Sequence, residues 1–220
     1  MESIFGLIVP HASYEFSGRV AAIGYKAILG KKFDTVIVLA DSHYERFDGV
    51  SVWPGGFLET PLGKTKVDDK LAKKIIAFSP RFFRRDSAHL FEHSIDAQLP
   101  FLQIALKNFK ILPIIFGSEN KDWAQLAEVI LQNTKIGKNL IIASSDLSHN
   151  LPQDEAEKID KRTIGNILTL KTDGLDVCAP DSLKTLLTIA KKYKAKAKLL
   201  KYEFRKTGFG AIAFAAPGEL

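Results

Sequence analysis

Short apolar runs rich in β-branched residues recur along this chain, and most of them stop abruptly at a polar or charged residue. The runs are 5–10 (FGLIVP), 34–40 (DTVIVLA), 109–117 (FKILPIIFG), 139–145 (NLIIASS), 199–204 (LLKYEF) and 210–216 (GAIAFAA). Continuous apolar stretches of this length, bounded by turn residues, predict buried strands. Between them the apolar spacing predicts helices at about 17–29, 68–79, 97–107, 121–133, 153–170 and 181–193. Ser17 is placed to cap the first and Asp68 the second, while Pro152 with Asp154 and Glu155 suits the start of the fifth. The Gly- and Pro-rich region 49–67 reads as an inserted hairpin, and no repeat or linker is evident. Strand–helix alternation of this kind predicts an α/β fold. We expect a single domain over 1–220, with a mostly parallel or mixed central sheet and helices on both faces.

Open α/β sheets bind ligands beyond the carboxyl ends of their strands, so the residues that follow each run carry the chemistry. His11 follows the first run; Asp41, Ser42 and His43 follow the second; Asp146 and His149 follow the run at 139–145. Glu92 and His93 precede a helix that Ser94 is placed to cap, with Asp96 in its first turn. A helix N-terminus disfavours positive charge and so keeps such an imidazole neutral, the form that ligates metal or accepts a proton. Cys178 stands just before Pro180. If that proline opens a helix, the dipole favours thiolate. A lone cysteine is equally a buried apolar group, and the residues leave the two readings level. His89 is assigned to structure. Any one of these histidines is more often a surface group than a ligand. Together, nitrogen, oxygen and sulfur donors suit iron, zinc or copper better than magnesium or calcium.

Composition narrows the class. The chain is 46% hydrophobic and 25% charged, as globular proteins are. One cysteine excludes an internal disulfide and suits a reducing, cytoplasmic setting. Glu2 in place of a basic n-region, and Pro10 cutting the first apolar run, argue against a signal peptide. No stretch approaches the ~20 apolar residues of a membrane span. The segment 184–206 holds nine of the 31 basic residues and a single acid, Glu203. Its polar–apolar alternation reads as a half-exposed strand with solvated lysines, and with few interleaved aromatics nucleic-acid binding ranks last. PLGKT lacks the glycine of a phosphate loop, because Leu58 occupies that position, and GFGAIA lacks the dinucleotide fingerprint.

Four blocks in order, VPHASYEFSG, ETPLGKTKVD, EHSIDAQLPFLQ and SSDLSHN, resemble the signature blocks of the Memo family. Its microbial members are also labelled AmmeMemoRadiSam system protein B. The resemblance implies a fold similar to the class III extradiol dioxygenases, which are non-haem iron enzymes. It implies that His11 and His43 ligate metal and that Cys178 falls where the dioxygenases place a carboxylate ligand. It assigns His149, with Asp146 beside it, to acid–base work, and His93 with Glu92 to a second polar pair lining the pocket. This chain reads Ala40-Asp41-Ser42-His43 where the family has Gly-Pro-Ser-His, and Cys178 is followed by Ala179-Pro180-Asp181 rather than Gly-Arg. The expected cofactor is Fe(II), with copper and zinc as the other candidates. The expected activity is that of a metal-dependent oxidoreductase. The competing reading is a non-catalytic module that binds a small molecule or peptide on the same fold, and a weaker one is a cysteine hydrolase using Cys178. The family label also implies a radical-SAM protein as a functional neighbour.

Overall fold

The parallel pairing that the alternating pattern predicts is present at the centre of the sheet. The computed structural model describes residues 3–118 and 122–217. In chain order the elements are β1 (Ser3–Val9), α1 (Tyr14–Lys26), β2 (Thr35–Asp41), β3 (Val50–Val52), β4 (Phe57–Thr60), β5 (Gly63–Lys66), α2 (Asp69–Phe78), β6 (Phe82–Phe83), α3 (Asp86–Leu90), α4 (His93–Asp96), α5 (Leu99–Ala105), β7 (Lys110–Phe116), α6 (Trp123–Asn133), β8 (Asn139–Ser144), α7 (Gln153–Leu168), α8 (Pro180–Lys192), β9 (Lys196–Phe204) and β10 (Gly208–Ala216). The eight-stranded sheet runs β6-β3-β7-β2-β8-β1-β10-β9. Its middle, β7-β2-β8-β1, is parallel. β10 joins antiparallel to β1, β9 antiparallel to β10, and β3 antiparallel to β7, so the sheet is mixed.

Helices cover both faces, and strand alternation shows how. Val9 meets α1 so closely that a Cβ on Gly24 would strike its Cγ1. Gly6, three residues earlier and therefore on the other face of β1, lies against Leu186 of α8 and Phe214. β2 is buried at every position, as a central parallel strand between two helix layers must be. No helix among the described residues is long and apolar enough to cross a membrane.

Several local expectations need correction. α1 begins at Tyr14, and Ser17 is no cap: its hydroxyl lies inside the helix and donates to the Ala12 carbonyl at 2.6 Å. Ser94 likewise lies within α4, whose N-cap is Glu92, accepting from the Ser94 N–H at 3.2 Å. The helix expected at 97–107 is α5, separated from α4 by Ala97 and Gln98. The insert at 49–67 supplies both β3, which enters the main sheet, and the separate hairpin β4–β5. Asp68 caps α2 as expected, accepting from Leu71 N at 3.2 Å, and also accepts from the Thr35 hydroxyl at 2.5 Å. Lys121, in the range expected for the fourth helix, lies outside the described residues.

The loop after β2 carries His43 and packs on the end of β7, where Gly117 donates to the Gly49 carbonyl at 3.0 Å. A Cβ at Gly117 would run into the Phe47 carbonyl, which cannot swing aside as a side chain can. Gly117→Ala should lower stability by about 1–3 kcal/mol through overpacking. Gly165→Ala, in α7 with open space around it, should be neutral or stabilise by about 1 kcal/mol. Denaturant midpoints of the two variants check the contrast.

Candidate metal centre

Three adjacent parallel strands, β2-β8-β1, end side by side and deliver the polar residues that follow them to one place. His11 follows β1, His43 follows β2, and Ser144, Ser145 and Asp146 close β8. The β8 ladder runs past its last residue, because Ser145 N donates to the Val9 carbonyl at 2.9 Å. Cys178 arrives from the segment before α8 and His93 from the start of α4. The imidazoles of His11, His43 and His93 touch one another, with ring centroids 4.9–5.3 Å apart.

A hydrogen-bond inventory fixes the state of His11. The Ser144 hydroxyl has one proton and two acceptor positions. It donates to the Ser94 carbonyl at 2.7 Å and accepts from Gln98 Nε2 at 2.8 Å. Its remaining acceptor position faces His11 Nδ1 at 3.0 Å, so that nitrogen carries the proton. Gln98 is held in turn, since Nε2 also donates to the Pro10 carbonyl at 3.0 Å and Oε1 accepts from Tyr25 Oη at 2.8 Å. His11 Nε2 is thereby left with its lone pair, 3.3 Å from Cys178 Sγ. Burial pushes the His11 pKa down to about 4, against the pull of Asp146, so the ring is neutral at pH 7.

His43 is oriented by the same logic with a carboxylate in the supporting role. Glu92 Oε1 accepts from His43 Nδ1 at 2.9 Å and Glu92 Oε2 from the His43 backbone N–H at 2.7 Å. The hydrogen bond to Glu92 raises the His43 pKa, against burial. Burial works to raise the Glu92 pKa, but the hydrogen bonds from His43 outweigh it and hold the carboxyl down at about 2. Glu92 therefore stands behind His43, with both oxygens engaged. A carboxylate backing an imidazole is the usual means of aiming a metal-ligating Nε2. His93 Nδ1 faces the Tyr44 hydroxyl at 3.2 Å.

Asp146 joins the elements. Its Oδ1 accepts from His11 N at 2.9 Å, its backbone N–H donates to Cys178 Sγ at 3.2 Å, and its Oδ2 lies 3.7 Å from His149 Nε2. The carboxylate raises the His149 pKa against burial, and burial of Asp146 is in turn outweighed by His149 and His11, leaving that carboxyl below its usual range. Cys178 is half-buried. Burial first, then the Asp146 charge, pushes its thiol up to about 12. The α8 dipole does not rescue a thiolate, because Cys178 precedes the N-cap residue Ala179. Asp41, the unexpected carboxylate, does not enter the cluster. It accepts from Asp181 N at 2.9 Å, Ser182 N at 3.0 Å and the Ser182 hydroxyl at 2.6 Å, pinning the start of α8 to the end of β2. Burial pushes its pKa up to about 6 against those bonds.

The donor atoms of His11, His43 and Cys178 all lie within 4.8 Å of one another. Two donors sharing one ion at Zn–N and Zn–S bond lengths stand about 3.5 Å apart, close to the His11–Cys178 separation. Among the described residues two other clusters, His43–Glu92–His93 and Asp146–His149–Cys178, share members with it, so every candidate from the sequence is in or beside this group. Reasoning from sequence missed Ser144 as the His11 acceptor, Gln98, Tyr25 and Tyr44. The usable signal for Gln98 was a lone amide in the apolar run Ile95, Leu99, Leu102. Ser144→Ala should cost roughly 10- to 100-fold in Co(II) affinity through the lost support of His11. It should also cost about 1–3 kcal/mol of stability, since Gln98 and Ser94 lose a buried partner. Metal titration followed by the sulfur-to-cobalt absorption band, with denaturant unfolding alongside, measures both.

The comparisons with known proteins agree with this architecture. A family model described as Memo-like protein matches residues 1–208. A MEMO1 family protein of Desulfurococcus amylolyticus is 40% identical over 211 residues, covering 90% of this chain and 75% of that one. The MEMO1 family protein of Sulfolobus acidocaldarius is 38% identical over 209 residues, covering 89% and 74%. The chain thus spans about three quarters of these relatives. Among solved structures, an uncharacterized protein from Escherichia coli K12 superposes with a TM-score of 0.63, covering 97% of this chain and all of that one. Its 11% identity makes this a likeness of fold alone. By the family model and these relatives, the chain belongs to the Memo-like family.

Proposed function

We propose that this protein binds a redox-active transition metal, iron first, through His11, His43 and Cys178, and oxidises a small ligand there with dioxygen as the oxidant that takes up the electrons. The observation that supports this reading is the paired orientation of the histidines. Both Nδ1 atoms are occupied by buried acceptors, Ser144 Oγ and Glu92 Oε1, which leaves both Nε2 atoms for a shared ion beside the thiol. Such an ion supplies electron transfer and Lewis acidity to a ligand taken up beside it.

The chain's own residues do the rest. Neutral His11 needs no deprotonation before it ligates. Cys178 would give up its proton on holding the metal, and the backbone N–H of Asp146 already donates to its sulfur. His149 sits at the half-exposed rim, with its Nε2 toward Asp146 and its pKa raised by that carboxylate, fit to take a proton from a bound ligand. Asp146 holds the charge that forms on the imidazole. His93, touching both ligand imidazoles, offers a second position for proton transfer.

Anaerobic equilibrium dialysis with Fe(II) tests the reading, with metal counted per chain. Wild type should bind about one iron, and Cys178→Ser and His43→Ala should each weaken binding at least tenfold while staying folded. His149→Ala should keep the iron and lose turnover. Full iron affinity in the folded Cys178 and His43 variants would refute the site, and the alternative of a metal-independent ligand-binding module would take its place. The pH dependence has a definite sign. Binding releases the Cys178 proton, held at a pKa near 12, so affinity should rise about tenfold per pH unit from pH 7 to 8. In Cys178→Ser the slope should fall by that one proton, leaving only what His43, with its raised pKa, releases.

A further inference from the structure

The end of the sheet away from the metal centre carries a surface of its own. Residues 31–34 lead into β2 and residues 107–109 into β7, and the two strands pair in parallel from Thr35 and Lys110 onward. His43 follows the other end of β2, which is seven residues long, so the two sites stand about 20 Å apart. Two clefts of about 530 and 360 Å³ open here and share Asn108. Ile104, Ala105 and Lys107 line the first, while Gln103 and Leu106 line the second, so the end of α5 stands between them.

Four large apolar side chains are exposed around these clefts. Leu29 at 61% and Ile104 at 69% border the first, and Phe57 at 61% and Leu62 at 58% the second. One exposed apolar residue is ordinary, but four around two adjoining clefts form a patch that marks an interaction. The backbone holds them in place. Gly30 N donates to the Ala105 carbonyl at 2.9 Å, tying the end of α1 to the end of α5. Gln103 accepts from the Thr60 hydroxyl at 2.5 Å and donates to the Gly63 carbonyl at 3.0 Å, fixing the hairpin turn that carries Leu62. The charge around the patch has one sign. Lys31, Lys32 and Lys107 line the first cleft and Lys64 and Lys66 the second, all exposed, and the one acid among the described lining residues is Asp34. Glu59 lies 3.3 Å from Lys64, and the other four lysines make no ion pair among the described residues.

We propose that this face docks on an anionic lipid bilayer, with the four apolar side chains entering the acyl boundary and the lysines lying at the headgroup phosphates. Apolar insertion combined with a polybasic ring gives the two signals that hold a protein at a membrane surface, and no spanning segment is needed. Every cation lining the clefts among the described residues is a lysine. A lysine ammonium is a point charge on a flexible stem, without the planar fork that fixes one carboxylate partner, so it suits a fluid array of phosphates. A second copy of this face would set like charges against each other. Docked this way, the rim of the metal centre faces water, and the docking is independent of any metal chemistry.

Cosedimentation of the full chain tests this, using phosphatidylcholine vesicles with and without about 30% phosphatidylglycerol. Wild type should pellet with the anionic vesicles only, and added salt should release it. Lys31→Glu with Lys107→Glu should lower the partition coefficient about tenfold or more. Leu62→Gln with Ile104→Gln should lower it about fivefold at unchanged charge. Lys192→Glu with Lys198→Glu makes the same charge change at exposed positions of the basic segment 184–206, and should keep most of the binding. Thermal midpoints should match wild type in all three, and were the Gln pair to fold poorly, the two charge variants would still decide. No binding to anionic vesicles would overturn the proposal and leave an acidic protein segment as the occupant. Equal losses in the two charge variants, or full binding by the Leu62 and Ile104 variant, would overturn it in favour of adsorption by net charge.

Discussion

Everything at the candidate metal centre depends on the parallel pairing of three neighbouring strands. β8 lies between β1 and β2, and its register sets Val9 opposite Ser144 and Leu39 opposite Ala143. Parallel strands paired in this register must end together, so whatever follows them is gathered at one edge. A one-residue slip would turn Ser144 to the other face of the sheet and remove the acceptor for His11 Nδ1. The continuous apolar runs prevent that slip, because a central strand buried on both faces offers few alternative alignments. The core thus does chemical work at a distance: it aligns the polar ends.

What fixes the loops beyond those ends is a set of buried carboxylates used as acceptors for main-chain N–H groups. Asp41 takes the first amides of α8, Glu92 takes the amides of His43 and Ser94, and Asp146 takes the amide of His11. Each one joins two segments far apart in sequence. Charge-assisted bonds to backbone amides are strong and directional, which suits loops that lack a ladder of their own. None of these three belongs to the proposed ligand trio. The fold uses these carboxylates for orientation and leaves the proposed ligating positions to two imidazoles and a thiol.

The division between what was legible in the sequence and what was not follows from this. Strands announced themselves because a run such as VIVLA has only one use, and the residues after the runs could be read off directly. His11, His43, Asp146 and His149 were found that way, and His93 and Cys178 by their places just before expected helix starts. The supporting roles were hidden because they are set by contacts across long sequence separations: Glu92 with His43, Gln98 with Pro10 and Ser144. Ser17 and Ser94 looked like caps by type and position. The helix starts were moved by tertiary packing, which places Tyr14 and His93 inside their helices rather than before them. For Cys178 the two sequence readings were level because dipole and burial act in opposite directions. Burial wins, since the dipole effect falls off within the first turn and the sulfur lies outside it.

The electrostatic state of the cluster then has a direction. His11 is neutral and the Cys178 thiol is protonated, while Glu92 and Asp146 have pKa values held below the usual carboxylate range. His11 and Cys178 therefore offer uncharged donors, while Glu92 and Asp146 place two negative charges behind the cluster and Glu92 raises the His43 pKa. Such a field favours arrival of a cation, and the cation itself supplies the charge that lets the buried sulfur ionise. A carboxylate in place of Cys178 would stand as a third anion beside Asp146, charged before any metal came. A thiol avoids that repulsion and would become anionic only with an ion beside it. On this argument the cysteine suits a site that must remain stable empty and bind a soft or borderline metal tightly when filled.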